Sequence, residues 1–279
     1  MTTSESNAAG ISDEKQWDHS THEAFFRYYA DQSAQPATIA HANRVRDMLL
    51  RVWYSRHGVD RIEVADIGCG AGAKAQLWAS LGHSVRGLDI NARLIDLARQ
   101  RAAQLGSAVD FNVGSATDLP WADSSIDICI ASELLEHVAD WQRCLDEFTR
   151  VLRPGGLLYL TTTNKLCPAQ EEFNLPFYSW YPGSVKRYFE RLAVTTRKDI
   201  ANYATYPAVN WFSFYSLRDA LKKRGCTSLD RFDVMDPQSK SAPARFVLKL
   251  ITNYPPVRFV AHILTHGTTV VAIKDSQVS

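Results

Sequence analysis

No stretch of the chain stays apolar for the roughly 18 residues that a bilayer-spanning helix needs. The first residues, Met1 to about Lys15, lack the basic start and apolar core of a signal peptide. Their Ser, Asn and acid content reads as a disordered tail over 1–20. An excess of one charge is also missing: 31 Lys+Arg against 30 Asp+Glu leave +1. That balance excludes a general affinity for nucleic acid or acidic membranes. Cysteine is scarce, with five residues and no C-x-x-C pair. Cys69 and Cys129 lie inside apolar motifs, so the set reads as small buried hydrophobes of a reducing, cytoplasmic compartment. What remains is a globular chain, 46% apolar over 279 residues, long enough for one α/β core and an elaboration of it.

The most informative stretch is Val64-Ala65-Asp66-Ile67-Gly68-Cys69-Gly70-Ala71-Gly72. An apolar strand meets an acid, then a turn with three glycines, then a helical pattern from about Ala73 to Leu81. Glycine lets the backbone bend sharply there and lets a ligand lie against the main chain. Gly68, Gly70 and Ala73 also satisfy the dinucleotide spacing G-x-G-x-x-G/A. Asp66 counts against a dinucleotide, because a carboxylate there repels a pyrophosphate. It suits a ligand with a cationic amino group and a sulfonium.

These residues resemble the first motif, D-x-G-C-G-x-G, of the class I S-adenosylmethionine (SAM) methyltransferases. Further pieces follow in order. Ser84 to Asp89 reads as a second strand, and Asp89 lies 17 residues beyond Gly72, placed to bind both ribose hydroxyls. Val109 to Val113 leads into Gly114-Ser115-Ala116-Thr117, the loop that closes on adenine in the family, with Ser115 where an acid is common. Ile126 to Ala131 reads as a fourth strand, followed by Ser132 and Glu133-Leu134-Leu135-Glu136-His137. Arg153-Pro154-Gly155-Gly156 reads as a tight turn before a fifth strand, Leu157 to Thr163. A sixth strand is expected at Leu229–Met235 and a seventh at Thr268–Lys274. The resemblance implies a Rossmann-like α/β fold: a mostly parallel seven-stranded sheet, helices on both faces, and an antiparallel last strand.

Within the family the motifs look most like the ubiquinone-biosynthesis O-methyltransferases. Asn43 and Arg46 match the N-x-x-R before their core, where the arginine pairs with the SAM carboxylate; an ordinary exposed helical Arg is the plainer reading. Asn164 matches their T-x-N-R run, with Lys165 in place of arginine. The implied cofactor residues are Asp66, Gly68, Gly70, Gly72, Asp89, Ile90, Ser115, Ala116, Thr117, Ser132 and Arg46.

Chemistry concentrates in Glu133, Glu136 and His137. A helix starting just after the fourth strand would put positions i, i+3 and i+4 on one face beside the methyl donor. Methyl transfer from a sulfonium is a direct displacement, so the protein must align the acceptor and take its proton. His137 suits that general-base work, with Glu133 as the second catalytic candidate. Alternatively, Glu133, Glu136 and His137 hold a divalent ion such as magnesium that acidifies an acceptor hydroxyl. A third reading has the histidine and an acid mainly bracing the active-site helix.

The expected organisation is one domain over 21–279. It comprises an N-terminal helical lid at 21–57, a SAM-binding core at 58–163, a substrate-cover insertion at 164–215, and the rest of the sheet with a helical insertion at 216–279. The cover is rich in aromatics, and from Lys186 to Arg224 nine Lys/Arg face three Asp/Glu. It suits an aromatic or partly anionic acceptor, or else builds a small satellite core. Ser241 to Leu264 reads either as an amphipathic hairpin in weak contact with a membrane interface or as helix packed on the domain. The expected activity is O-methylation of a small-molecule, lipid-linked or glycan-type acceptor, without a nucleic-acid partner. N- or C-methylation, or a non-catalytic SAM-binding partner role, are the alternatives on the same fold.

Overall fold

The structure, a computed structural model, describes residues 23–58, 60–170, 172–201, 208 and 210–276. The expected tail at 1–20 lies outside them, as do Tyr203 and Tyr206 of the cover. Two helices come first, α1 (Glu23–Ala34) and α2 (Pro36–Tyr54). The glycine-turn half then alternates strand and helix: β1 (Glu63–Ile67), α3 (Ala73–Ala79), β2 (Ser84–Asp89), α4 (Ala92–Leu105), β3 (Val109–Val113). The other half runs β4 (Ile126–Ser132), α5 (Trp141–Val151), β5 (Leu152–Thr163), α6 (Gly183–Thr195), α7 (Phe214–Lys222), β6 (Cys226–Asp230). A helical hairpin, α8 (Ala242–Asn253) and α9 (Pro255–Ile263), precedes β7 (Gly267–Lys274).

All seven strands form one sheet, ordered β3-β2-β1-β4-β5-β7-β6. Only β7 runs antiparallel to its neighbours β5 and β6. Strand β4 is central and buried from Ile126 to Ala131, the near-continuous apolar run of a parallel strand covered on both faces. One face packs Leu49 and Trp53 of α2, Trp78 of α3 and Ile95 and Ala98 of α4. The opposite face packs Leu145 and Phe148 of α5 and Leu217 and Leu221 of α7. All five cysteines are buried and free, as their apolar setting implies.

Strand order reverses between β1 and β4. In an open α/β sheet the crevice outside the carboxyl ends at that switch point takes the ligand. The glycine turn follows β1 and the Glu133–His137 segment follows β4, so the topology brings them together. A Cβ built on Gly68 would lie 3.2 Å from Leu134 Cδ1, which measures how closely the two turns meet.

Two boundaries differ from expectation. Arg153 to Gly156 does not precede the fifth strand but belongs to it: Ile126 pairs with Leu152 and Ile128 with Leu157, so the extra residues bulge within the β4–β5 ladder. Strand β6 covers 226–230, because Asp230 turns the chain by accepting from the Phe232 and Asp233 amides at 2.8 and 3.1 Å. Among the described residues no helix is long and apolar enough to cross a membrane.

Candidate active site and cofactor crevice

Gly68, Gly70 and Gly72 all take left-handed φ, at 71°, 53° and 79°. The turn brings the Gly70 amide 2.8 Å from Asp89 Oδ2, while Asp89 Oδ1 accepts from the Asn91 amide at 2.9 Å. Asp89 is therefore fixed by two backbone donors, with lone pairs left over for hydroxyls. Burial pushes its pKa up, against those bonds. A Cβ on Gly70 would meet nothing within 4 Å, so the main chain here borders an open cradle.

Asp66 lies fully buried at the end of β1, and neither carboxylate oxygen has a hydrogen-bond partner. Lys74 Nζ approaches Oδ1 to 3.7 Å, beyond hydrogen-bond distance. Burial drives the Asp66 pKa up, opposed by that ammonium. A buried carboxylate with one long ion pair and no hydrogen bond at a ligand crevice suits a further cationic donor, which an amino-acid ammonium supplies. Asp66 beside Lys74, the anchored Asp89 and the open face of Gly70 thus fit a nucleoside that carries an amino acid.

The loop after β3 closes the far side. Ser115 Oγ and Thr117 Oγ1 lie 2.7 Å apart, and the Thr117 amide donates to Ser115 Oγ. Ala116 packs into the core. The rest of this loop is pinned from α5: Glu147 accepts from the Leu119 amide at 2.8 Å, and Arg150 donates to the Leu119 and Trp121 carbonyls. Ile90 is 56% exposed beside Asp89, available for packing against a ligand. Ser132 ends β4, half-buried in register with Thr161 of β5.

The expected helical face after β4 does not form. The Glu133 amide donates to Thr161 O at 2.8 Å, continuing the ladder, and Glu133 takes φ 50°. One 3-10 turn, Leu135–His137, then follows. Asn210 clamps that turn, its side chain donating to the Leu135 and Val138 carbonyls and its amide to Glu136 O. Glu136 turns inward, 1% exposed, and accepts from Thr162 Oγ1 at 2.8 Å. Burial, the Glu133 charge and a hydrogen bond shared with Glu133 raise the Glu136 pKa well above 4.5. Glu133 itself stays exposed. The His137 ring has no hydrogen-bond partner among the described residues, and burial pulls its pKa down to about 4.

Glu133, Glu136 and His137 therefore do not gather as one ligand set. Among the described residues no group of three or more His, Cys, Asp and Glu side chains is placed to hold a metal ion. The reason is local: a left-handed residue and a tight turn break the i, i+3, i+4 stripe that an α-helix would have made.

Arg46 also departs from expectation. It shares the inward stripe of α2 with Ala42, Leu49 and Trp53, pairs with Asp47 at 2.8 Å, and lies in electrostatic range of His83. His83 precedes β2, at the end of the sheet away from the glycine turn. Asn164 is structural, donating to the His262 and Thr265 carbonyls, both at 2.7 Å. The spacing had not revealed His41, which feels the charges of Lys74 and Glu133. Nor had it revealed Tyr29, whose hydroxyl feels those of Glu136 and Asp89 while burial raises its pKa. Both lie within electrostatic range of crevice residues, Tyr29 from α1 and His41 from α2. Helix α1 is held to α4 by Arg93 on Glu23 at 2.8 Å and Arg101 on Ser33 Oγ at 2.7 Å. In the sequence Tyr29 stands in no motif, and His41 lies just outside the Asn43–Arg46 run.

The cover holds a satellite core and, beside it, a cavity. Phe173, Tyr178, Ala193 and Ile200 form a satellite core, with Tyr181 and Trp211 against it. Beside it lies a cavity of about 570 Å³ whose lining includes Lys165, Trp180, Lys186, Asn210 and Trp211. Lys186 is 9% exposed, donates to Ser179 O at 2.9 Å and stands 4.3 Å over the Trp211 ring. Desolvation pulls its pKa down to about 8.

The Glu136 proton gives a first expected result. An acid with a raised folded pKa keeps its proton after the unfolded chain has lost its own. Stability therefore falls as pH rises from 4.5 toward that raised value. Glu136→Gln removes this proton linkage, so its urea midpoint gains on the parent as pH rises above 4.5. Parallel pH profiles would contradict this environment for Glu136.

A sheet of this order, with a glycine turn and two acids at its switch point, is the Rossmann-like class I methyltransferase fold. Residues 65–160 match the family model described as "Methyltransferase domain". The ubiquinone biosynthesis O-methyltransferase of Rhizobium rhizogenes is 36% identical over 115 residues, 41% of this chain and 46% of that protein. The chain thus spans less than half the length of that curated relative. Among solved structures, the YcgJ protein from Bacillus subtilis matches at TM-score 0.52 and 18% identity, over 83% of this chain and 99% of that one. A SAM-dependent methyltransferase from Methanosarcina mazei matches at TM-score 0.51 and 21% identity, over 80% of this chain and 97% of that one. Residues 65–160 thus resemble a methyltransferase domain, and the matched segment is similar to the ubiquinone-biosynthesis O-methyltransferases.

Proposed function

We propose that this chain transfers the methyl group of SAM to an oxygen of a small-molecule, lipid-linked or glycan-type acceptor. The observation that carries the reading is the buried Asp66, without a hydrogen bond and in a long ion pair with Lys74, beside the backbone-anchored Asp89 at the switch point. When bound, SAM supplies a methyl already activated on a sulfonium. Asp89 accepts the ribose hydroxyls, Asp66 the amino group, and the open face of Gly70 receives the main body of the ligand. Gly68 and Gly72 shape the turn; Ile90, Ser115, Ala116 and Thr117 border the base, and Ser132 the methionine portion. Lys74, rather than Arg46, is the cation beside the turn that suits the cofactor carboxylate. Tyr29 and α1 act as its lid.

Glu133 is the proposed base. It is exposed, stands at the end of β4, and shares a hydrogen bond with Glu136. A proton leaving the acceptor hydroxyl passes to the Glu133 carboxylate as the new bond to carbon forms. His137, with its pKa near 4 and no carboxylate to orient it, is the weaker candidate and braces the turn. The acceptor enters through the cover cavity, where Lys165 and Lys186 favour an anionic group and Trp180 and Trp211 a flat apolar one. An O-acceptor is supported by the likeness to the O-methyltransferase of Rhizobium rhizogenes.

The test is transfer of labelled methyl from SAM to a panel of phenols, sugar phosphates and polyprenyl-linked acceptors. Turnover on an oxygen acceptor is expected, lowered about 100-fold or more in Glu133→Gln and less than tenfold in His137→Ala. Turnover on nitrogen or carbon alone would overturn the oxygen reading. SAM binding with no transfer to any acceptor would favour the non-catalytic role.

A further inference from the structure

The α8–α9 hairpin is rooted firmly and covered poorly. At its root the His262 ring lies 2.8 Å from Asp230 Oδ2, stacks on Phe214, and is buried. Arg258 Nε donates to Asp230 at 2.7 Å and the same guanidinium also reaches Asp233. The other faces are bare: Phe246, Val247, Val257, Phe259, Val260 and Leu264 are between 41% and 75% exposed. Tyr254 joins them at the tip, 56% exposed between the helices. Soluble surfaces scatter large apolar side chains singly, and a concentration of this kind marks a contact surface.

Charge tells what the contact is. From Pro237 to Lys274 the sequence holds no Asp or Glu. Arg258 is neutralised by Asp230 and Asp233, but Lys240, Arg245 and Lys249 have no ion-pair partner among the described residues. The net +1 of the whole chain hides this local asymmetry. A second copy docked here symmetrically would set these cations near their own kind with no acid of the segment to offset them. Apolar side chains among unpaired cations complement an interface of acyl chains and anionic headgroups.

Place tells what the contact is for. The hairpin leads into β7, whose Gly267 pairs with Thr163 at the carboxyl end of β5. The next residue, Asn164, grips the end of α9 through the His262 and Thr265 carbonyls. The hairpin is therefore rooted at the end of the sheet that holds the cofactor crevice.

We propose that the α8–α9 hairpin docks on an anionic lipid bilayer surface, with the crevice at the same end of the domain. Docking itself stands independently of methyl transfer. The test is co-sedimentation of the full chain with phosphatidylcholine vesicles, with and without phosphatidylglycerol. The bound fraction is expected to be at least about fivefold higher on the anionic vesicles and to fall at high salt. Val247→Glu combined with Val260→Glu removes binding; both sites are 52% exposed, so near-UV circular dichroism stays native. Arg245→Glu combined with Lys249→Glu keeps the apolar face yet abolishes the preference for anionic vesicles. Equal binding to both vesicle types, or to neither, overturns the proposal. So does a dimer that the Val247/Val260 variant dissociates in the absence of pelleting. Titration of that variant with S-adenosylhomocysteine, expected to match the parent, separates failure of docking from failure of the cofactor reading.

Discussion

Asp89→Ala lowers affinity for S-adenosylhomocysteine by about 100-fold or more. Two hydroxyl bonds to an ionised carboxylate contribute about 1.5–3 kcal/mol each, and about 1.4 kcal/mol is tenfold in affinity. The loss is compounded because Asp89 is also the acceptor that fixes the Gly70 amide, so the turn loosens with it. Asp89→Asn keeps a neutral acceptor for Gly70 and loses less, about tenfold. Calorimetric titration of each variant checks both, with near-UV circular dichroism to establish folding. A folded alanine variant that binds like the parent would remove Asp89 from the site.

Gly72→Ala lowers folding stability by about 2–5 kcal/mol, the sum of left-handed strain and overpacking. Its Cβ would lie 2.6 Å from Phe111 Cζ and 2.8 Å from Ala98 Cβ, at φ +79°. Phe111 and Ala98 are 3% and 0% exposed, so neither has room to yield. Gly70→Ala is the informative contrast. Its Cβ meets nothing, so it loses only about 1–2 kcal/mol to backbone strain. It fills the cradle, however, and weakens S-adenosylhomocysteine binding about tenfold or more. Urea midpoints and ligand titrations together separate the two glycines. Equal destabilisation, or a Gly70→Ala that binds normally, would contradict the division between a turn made for packing and a turn made for ligand.

These two glycines also show what the chain discloses before it folds. The Asp66–Gly72 run and Asp89 were readable because their geometry is local: strand, turn and helix follow one another within a few residues. Six of the seven strands were readable for the same reason, their apolar runs being bounded by turns, whereas the sixth forms at Cys226–Asp230 and overlaps the expected Leu229–Met235 by only two residues. Glu133 was not readable in this way. Its left-handed φ is imposed by the amide bond to Thr161 on a neighbouring strand, and helical periodicity knows nothing of that. Arg46 fits a short motif, but the phase of α2 against the sheet decides where it points. Asn164 also fits one, yet its amide serves a hairpin about a hundred residues later in the chain. His41 and Tyr29 lie on the N-terminal helices, and only tertiary packing brings them into range of Lys74, Glu133, Glu136 and Asp89, whereas Lys74 follows Gly72 by two residues and was placed by the turn itself. The cover was ambiguous between satellite core and acceptor pocket because its aromatics serve both, Trp211 lying against one and lining the other.

The crevice between β1 and β4 is proposed to take S-adenosylmethionine. Calorimetric titration of the parent protein with S-adenosylhomocysteine, with NADH as control, tests it most directly. One site with a dissociation constant on the order of 1–100 µM is expected for the first ligand, and no heat of binding for the second. A folded protein that ignores S-adenosylhomocysteine, or takes up NADH equally well, would contradict it.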